Sequence, residues 1–158
     1  RKSIPAIRTA VEQLARCCGE PLCAEGDEVF LFPTPEQLCG LTEAQLTGCG
    51  LGYRTRYIQH AAAQAAARTL DLDALAVLPD NTLFSRLLTL DGVGKKVANC
   101  VCLFGYGRTA MAPIDVWIQR LIDEEFGGRD PFPAYGQQAG IVQQYLFYYK
   151  RSISTQKK

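Results

Sequence analysis

The chain has 158 residues, a formal net charge of +1 and 47% hydrophobic residues. This length and apolar content predict a single globular domain with its own core, covering residues 1–158. No apolar run reaches membrane-spanning length and no signal-peptide pattern opens the chain, so we expect a soluble intracellular protein with no membrane partner. A net charge this close to zero does not by itself indicate nucleic-acid binding.

The cysteines indicate a reducing environment. There are seven of them, an odd number, and no Cys-x-x-Cys pair occurs. We therefore expect free thiols, no metal site and no cofactor. His60, the single histidine, falls in an alanine-rich helical segment and is interpreted as an ordinary helix residue, not as a catalyst.

The beginning of the chain predicts a helix followed by a loop. Ser3 and Pro5 form a helix-start signal, and the helix is expected to end near Gly19. Residues 20–33 carry prolines and a glycine and predict a loop, with a short extended piece around residues 29–32. The apolar stripe of the first helix comprises Ile7, Val11 and Leu14.

Two consecutive capping boxes follow. Thr34 precedes Gln37 by three residues, and Thr42 precedes Gln45 at the same spacing. In this motif the threonine hydroxyl accepts from the backbone amide of the glutamine, whose side chain binds back to the threonine amide. Each box therefore predicts the start of a short helix. A glycine-rich turn then leads into an alanine-rich helix over residues 54–70.

A helix, a glycine turn and a second helix are predicted next. Residues 82–90 are apolar at helical spacing, Gly92 and Gly94 permit a sharp turn, and the second helix is expected to start at Lys95. The free backbone N–H groups at a helix start carry the positive end of the helix dipole. This hairpin is therefore predicted to bind one DNA phosphate.

The second helix of the hairpin carries a candidate nucleophile. Lys96 lies in its first turn, where the positive helix end and Lys95 destabilise the ammonium form. A lysine that loses its proton readily can attack an electrophilic carbon. Cys100 lies one turn further along the same face. The buried stripe of this helix is expected to comprise Val97, Val101 and Phe104.

Two more helices are predicted towards the C-terminus. Asp115 is placed at the N-cap of a helix that runs to about Phe126. A last helix is predicted over residues 133–149, and in it Gln143 and Phe147 lie one turn apart on one face. Its other stripe comprises Ile141, Tyr145 and Tyr148.

The basic residues lie mostly at predicted turns and helix ends, whereas many acidic residues fall in surface segments. Two interpretations stay open, a DNA-binding face and scattered charge that only keeps the protein in solution. The basic residues in question are Arg1, Lys2, Arg54, Arg56, Lys95, Lys96, Arg108, Lys150 and Arg151.

The segment GVGKKVANC, followed by Pro-Ile-Asp, resembles the helix-hairpin-helix DNA glycosylases, and within them the 8-oxoguanine DNA glycosylase/AP lyases. The resemblance covers nearly the whole chain and implies an all-α fold, with the hairpin at about 82–104 and a base-pocket helix at about 133–149. Members carry an additional N-terminal β-rich domain, which we expect this chain to lack. No cysteine follows Cys102, so the iron–sulfur pattern of the endonuclease III and adenine-glycosylase branches is missing.

The resemblance implies a role in chemistry or base recognition for five residues. Lys96 attacks the sugar and Asp115 assists, so that the base is excised and the abasic strand is nicked by β-elimination. Cys100 helps to shape the pocket. Gln143 binds the Watson–Crick edge of the flipped base and Phe147 stacks on its face, with a purely structural core position as the open alternative for Phe147.

The resemblance also implies a surface for duplex DNA. Tyr53 wedges into the duplex and Arg54 approaches the base that has lost its partner; the alternative is a helix start that packs on a neighbour. Trp117 stands where some members have a histidine, at a position of phosphate contact. The contacts of the hairpin with phosphate are implied for Gly92, Gly94 and Lys95.

We therefore expect a monomeric, bifunctional glycosylase/lyase that acts on 8-oxoguanine in damaged double-stranded DNA. Its expected location is the cytoplasm, at a bacterial nucleoid, or the nucleus of a eukaryote. Two alternatives stay open. One is a glycosylase for another oxidised base, and the other is a non-catalytic DNA-binding hairpin domain in which Lys96 contacts a phosphate.

Overall fold

The computed structural model describes residues 2–24 and 26–156. The chain divides into two compact units, Arg1–Asp73 and Ala74–Lys158, and their regular structure is almost entirely helical. The predicted all-α fold is confirmed, apart from one small β-hairpin. Arg1, part of the predicted basic set, lies outside the described residues. In the part of the chain that is described, no helix is long and apolar enough to cross a membrane.

The first unit is built from short helices around one core. In chain order its elements are α1 (Ile4–Cys18), β1 (Pro21–Ala24), β2 (Asp27–Phe30), α2 (Pro35–Cys39), α3 (Glu43–Gly48), a 3-10 turn (Gly52–Arg54) and α4 (Thr55–Ala66). The buried side chains that form the core are Ala10, Leu14, Leu38, Leu46, Cys49, Leu51 and Ala62.

Helix α1 starts where the sequence predicts, but its buried face differs from the predicted apolar stripe. The Ser3 hydroxyl accepts from a backbone amide in the first turn, as an N-cap does. Of the stripe only Leu14 is buried, whereas Ile7 and Val11 are 49% and 47% exposed. Alanines complete the buried face instead, because close approach of neighbouring elements favours small side chains there.

The segment after α1 is a β-hairpin and not a loop with one extended piece. Strands β1 and β2 pair antiparallel, with Pro21 opposite Phe30. The prediction missed β1 because it begins with a proline, which cannot donate to a strand ladder and is tolerated only at a strand start or edge. Gly26, with φ of 91°, supplies the left-handed turn conformation between the strands.

Both predicted capping boxes are present. The Thr34 and Thr42 hydroxyls each accept from the backbone N–H of the glutamine three residues on, at 3.3 Å. In return, the side-chain oxygens of Gln37 and Gln45 accept hydrogen bonds from the threonine backbone N–H groups at 2.8 and 2.9 Å. The two capping boxes start α2 and α3. Helix α4 ends earlier than the predicted 54–70, since the chain adopts a positive φ of 56° at Arg68.

The second unit holds the predicted hairpin and the C-terminal helices. A short helix, α5 (Leu72–Ala76), contains the boundary between the units. The elements that follow are α6 (Asp80–Leu87), α7 (Lys95–Cys100), a π-helical turn (Val101–Gly105), α8 (Val116–Glu125), a 3-10 segment (Phe132–Gln138) and α9 (Ala139–Gln156).

The last predicted helix is interrupted. The chain is kinked at Gly136, with φ of 50° and ψ of −121°, so residues 133–149 form the end of a 3-10 segment and the beginning of α9 rather than one helix. Gly140 then lets α9 approach the preceding loop closely, because a Cβ there would lie 2.4 Å from the Met111 carbonyl oxygen. The Gly140 N–H donates to the Thr109 carbonyl at 2.8 Å.

Helices α8 and α9 pack against each other. Their shared core consists of Ile118, Ile122, Phe132 and Ala139, and Leu146 and Phe147 pack partly against it. Lys150 of α9 is only 6% exposed, and its ammonium donates a hydrogen bond to the Glu124 carboxylate of α8. This ion pair links the two helices. The packing fixes how the face that carries Gln143 lies relative to the start of α8.

Candidate active site

The hairpin between α6 and α7 has the predicted glycine turn. Gly92 has φ of 77°, a conformation that glycine adopts without strain. Gly94 is the N-cap of α7, and no side chain caps that helix start. Helix α7 begins at Lys95, as predicted. Lys95 and Lys96 are both exposed at this uncapped start.

The buried face of α7 differs from the predicted stripe of Val97, Val101 and Phe104. Val97 and Phe104 are 40% and 64% exposed, and the buried positions are Ala98, Cys102 and Leu103. The prediction relied on the spacing of large apolar residues, whereas two of the three buried positions carry the small residues Ala98 and Cys102. A π-helical turn, closed by the Tyr106 N–H on the Val101 carbonyl at 3.2 Å, then widens the helix and changes the direction of the later side chains.

A cavity of about 140 Å³ opens on the exposed side of α7. Its volume is below the roughly 300–1,000 Å³ of typical small-molecule pockets, so it has room for a small group. All of its lining residues belong to the second unit. They are Lys96, Cys100, Phe104, Pro113, Asp115, Gln143, Gln144 and Phe147.

Lys96 and Cys100 lie on the same face of α7, as their spacing predicts, and both line the cavity. Lys96 is exposed, and its side chain makes no hydrogen bond or ion pair with any residue that the structure describes. Its amine is therefore available to a ligand. Cys100 is half-buried one turn away.

Asp115 is the N-cap of α8, as predicted. Its Oδ1 accepts from the backbone N–H groups of Trp117 and Ile118 at 2.9 and 3.0 Å. Its Oδ2 accepts no hydrogen bond from the residues of the described ranges. One oxygen thus holds the carboxylate in place at the edge of the cavity, and the other is left for a ligand.

Two glutamines and an aromatic ring from α9 complete the cavity wall. Gln143 is only 2% exposed, and Phe147 is half-buried one turn later. Phe147 also packs against the core between α8 and α9, so it occupies both the cavity position and the core position that the sequence leaves open. The Gln144 side chain donates from Nε2 to Oε1 of Gln143.

Sequence reasoning missed three cavity residues, Phe104, Pro113 and Gln144. Phe104 is predicted for the core because it is large and apolar. Pro113 stands in a loop whose course no periodicity defines. Gln144 did carry a signal, since it directly follows Gln143 and lies three residues before Phe147, a spacing that places side chains on one side of a helix.

Away from both the hairpin turn and the cavity, the predicted DNA-contacting residues are Tyr53, Arg54 and Trp117. Tyr53 is 69% exposed in the first unit, and the Arg54 guanidinium lies 4.4 Å from the centre of its ring. Trp117 is half-buried in the first turn of α8, with the Arg120 guanidinium 5.5 Å from its ring centre. An arginine over an aromatic face is a stabilising cation–π arrangement, which holds each ring in position.

Arg108 and Lys150, which belong to the predicted basic residues, form salt bridges within the second unit. The Arg108 guanidinium donates from Nη2 to the Leu78 carbonyl at 3.2 Å, and its Nε lies 3.5 Å from Oδ1 of Asp80. Lys150 is buried against Glu124. Both are structural in this arrangement, so a positive face on the second unit would depend on other residues, with Lys95 and Lys96 exposed at the hairpin.

All seven cysteines are free. Burial raises the pKa of the Cys18, Cys49 and Cys102 thiols, with a further increase at Cys102 from the nearby Asp80 carboxylate. Within the described ranges, no group of three or more histidine, cysteine or acidic side chains is arranged to hold a metal ion.

The fold and the cavity define a class of protein, a helix-hairpin-helix domain in which a lysine of the second hairpin helix shares a cavity with a capping aspartate. The HhH-GPD superfamily of base excision DNA repair proteins matches residues 2–135, and the chain belongs to this family.

Similar proteins agree with this family. A probable N-glycosylase/DNA lyase of Methanothermobacter thermautotrophicus is 29% identical over 90% of this chain and 54% of its own length. The N-glycosylase/DNA lyase of Saccharomyces cerevisiae is 30% identical over 73% of this chain and 36% of its own length. The chain thus spans about half, or less, of the length of these relatives.

Solved structures show the same fold. The 8-oxoguanine glycosylase/lyase of Clostridium acetobutylicum, bound to double-stranded DNA with cytosine opposite 8-oxoG, has a TM-score of 0.89 at 28% identity. It is matched over 98% of this chain and 56% of its own length. A DNA complex of MBOgg1 has a TM-score of 0.90 at 32% identity, with the same coverage. A 3-methyladenine DNA glycosylase of Archaeoglobus fulgidus, at 21% identity and a TM-score of 0.77, shares the fold.

Proposed function

We propose that this chain is a bifunctional DNA glycosylase/AP lyase that excises 8-oxoguanine from duplex DNA. The observation that carries the proposal is the cavity, in which an unpaired lysine, a carboxylate with one unoccupied oxygen, a buried amide and an aromatic ring line the same small space. Together these groups supply a nucleophile, a negative charge, a hydrogen-bonding amide and a stacking surface. The relatives named as N-glycosylase/DNA lyases support the reaction class.

Base recognition is assigned to α9. The target base leaves the stack and enters the cavity, where Phe147 stacks on its face and the Gln143 amide binds its Watson–Crick edge. An amide offers both a donor and an acceptor, which suits the adjacent carbonyl and N–H of a guanine-type edge. Cys100 and Phe104 limit the space around the ring.

Excision is assigned to Lys96. In its neutral form the Nζ atom attacks C1′ of the sugar, the glycosidic bond breaks, and its electron pair leaves with the base, which takes up a proton. The C1′–O4′ bond then breaks, its electron pair and the second amine proton go to O4′, and the opened sugar is left with an imine between Nζ and C1′. Asp115, held by the cap of α8, orients the attack and stabilises the positive charge that develops on the sugar.

Strand cleavage follows from the same imine. Because the imine withdraws electrons, a proton is lost from C2′, the C2′–C3′ double bond forms, and the bond from C3′ to the phosphate oxygen breaks. The strand is nicked on the 3′ side of the lesion, and hydrolysis of the imine releases Lys96. No metal ion is needed to balance these steps.

DNA binding is assigned to residues of both units. Gly92, Gly94 and Lys95 at the start of α7 bind a phosphate, and Trp117 lies near the backbone. In the first unit, the exposed Tyr53 wedges into the duplex, and Arg54, stacked on that ring, reads the base opposite the lesion. We propose that the chain acts as a monomer on damaged double-stranded DNA, at the nucleoid of a bacterium or in the nucleus of a eukaryote.

Borohydride trapping tests the proposal. The parent chain is incubated with a duplex containing 8-oxoguanine opposite cytosine and with an abasic duplex, and borohydride reduces any imine to a stable covalent adduct. We expect adducts with the parent and none with Lys96→Gln, which keeps DNA binding. Lys95→Gln, the matched loss of a charge one residue away, is expected to weaken DNA binding but still to give the adduct. Binding without any adduct by the parent would indicate a non-catalytic hairpin domain.

A further inference from the structure

The two adjacent glutamines of α9 form a pair at the cavity wall. Gln144 donates from Nε2 to Oε1 of Gln143, and both residues line the cavity. Consecutive residues on a helix point about 100° apart and do not normally face each other. Here the two long side chains turn towards one another, which gives the Gln143 side-chain oxygen a hydrogen-bond partner within the protein.

The bond to Gln144 determines which end of the Gln143 amide is the oxygen and which is the NH2 group. Its oxygen is already an acceptor for Gln144, whereas its Nε2 has no hydrogen-bond partner among the described residues. Gln143 is only 2% exposed, so water competes poorly for this amide. A donor in so little contact with solvent is satisfied when a ligand presents an acceptor.

We infer that Gln144 is a positioning residue for base recognition, which fixes the orientation of the Gln143 amide so that its Nε2 donates to a carbonyl oxygen of the flipped base. The inference rests on the proposed function, because it concerns the same cavity, and it adds a residue and a selection rule to it. The selected class is a base with an exocyclic carbonyl at the position that Gln143 reads. A base with an amino group there is rejected.

The rejection follows from hydrogen-bond polarity. The edge of 8-oxoguanine presents a carbonyl oxygen beside an N–H, whereas 8-oxoadenine presents an amino group beside a bare ring nitrogen. An amide that is free to rotate by 180° can match either edge. An amide held by Gln144 matches the first and sets donor against donor with the second. Such mismatches typically change affinity on the order of tenfold or more.

Three substitutions at position 144 separate the possibilities. Gln144→Lys can only donate, so it retains the orientation of Gln143. Gln144→Glu can only accept, so it forces Gln143 to turn its NH2 group away from the base and present its oxygen. Gln144→Leu does neither and leaves the amide free to rotate. Because the Gln144 side chain is half-buried, a substitution there can affect folding, and thermal melting of each variant checks this.

The measurement is binding of the full chain to duplexes that contain 8-oxoguanine or 8-oxoadenine opposite cytosine, each on a 2′-fluoro sugar that resists cleavage. The ratio of the two Kd values cancels the general effect of an added charge on DNA affinity. We expect the parent and Gln144→Lys to favour 8-oxoguanine about tenfold or more. We expect Gln144→Leu to reduce this ratio by several-fold and Gln144→Glu to reduce it further or reverse it.

The inference is overturned if the parent does not discriminate, or if Gln144→Glu shifts both affinities equally and leaves their ratio unchanged. A failure of the proposed function gives a different result. In that case the parent forms no borohydride-trapped adduct, while the ratio of binding constants still reports on the glutamine pair.

Discussion

Asp115 accepts the Trp117 backbone N–H with Oδ1, at 2.9 Å, and thereby caps α8 with the same carboxylate that lines the cavity. The same oxygen also accepts from the next amide, whereas Oδ2 has no partner among the described residues. A structural role and a proposed catalytic role are thus divided between the two oxygens of one side chain. Substitutions that differ in which oxygen they preserve can separate these roles.

Asp115→Asn keeps a side-chain oxygen for the cap, and asparagine is as good an N-cap as aspartate. We expect nearly unchanged stability but strongly reduced base release, because the negative charge is lost. Asp115→Ala should also lose about 0.5–2 kcal/mol of stability. Single-turnover base release and urea unfolding of both variants provide the measurement. Thr34→Ala, which removes a cap from α2, controls for stability loss alone, and a comparable loss of release in that variant would contradict a catalytic role for Asp115.

Phe147 and Leu146 form a matched pair, since both pack partly against the α8–α9 core but only Phe147 lines the cavity. Phe147→Ala should therefore reduce the release of 8-oxoguanine more than it reduces binding to abasic DNA, where no base is stacked. A lost stacking contact corresponds to about 1–3 kcal/mol. Leu146→Ala should destabilise the fold without changing the ratio of the two activities. Equal losses on both substrates for Phe147→Ala would mean that its role is only structural.

Gly140 and Gly48 are expected to respond in opposite directions to the same substitution. A Cβ on Gly140 would lie 2.4 Å from the Met111 carbonyl oxygen and 2.8 Å from Leu103 Cδ1. Gly140→Ala should therefore lower the free energy of unfolding by about 1–3 kcal/mol, as overpacking does, and displace α9 with its glutamines.

At Gly48, the last residue of α3, a Cβ would meet no atom within 4 Å. Gly48→Ala should be neutral or stabilise by up to about 1 kcal/mol. Chemical denaturation of the two variants tests the contrast, and similar values for both would contradict it.

The buried thiol of Cys102 predicts a loss of stability at alkaline pH. Burial raises its pKa in the folded state above the ordinary value of 9.0, so above that pH the unfolded chain has lost a proton that the folded chain retains. The stabilising contribution is complete below pH 9.0 and declines as the pH rises further.

Urea midpoints at several pH values between about 8 and 10 measure this decline. Cys102→Ala should show a shallower decline than the parent, whatever its stability at the lower pH. Cys39→Ala removes an exposed thiol and should leave the slope as it is. A parent and a Cys102→Ala variant with the same slope would show that this thiol does not govern the alkaline response.

The sequence by itself determined the features that a few neighbouring residues decide. The caps at Ser3, Thr34, Thr42 and Asp115 are all present, because a capping bond closes within two or three residues and needs nothing from the rest of the fold. The start of α7 at Lys95 is equally local. The shared face of Lys96 and Cys100 follows from the helical repeat.

Only the tertiary structure decided which faces are buried and which side chains meet. Ile7, Val97 and Phe104 are exposed although they are apolar, because burial depends on the elements that pack against a helix and not on hydrophobicity alone. The pairing of Lys150 with Glu124 likewise joins two helices whose contact no local pattern specifies.

The cavity also combines features that the local sequence predicts with features that only the tertiary structure decides. Its walls come from the hairpin helix, the loop before α8 and the far end of the chain, and their meeting depends on the kink at Gly136 and the close approach at Gly140. The hydrogen bond between Gln144 and Gln143 at this cavity is also one that helical periodicity does not predict. Sequence spacing orders residues along one helix, whereas long-range packing determines which helices share a cavity.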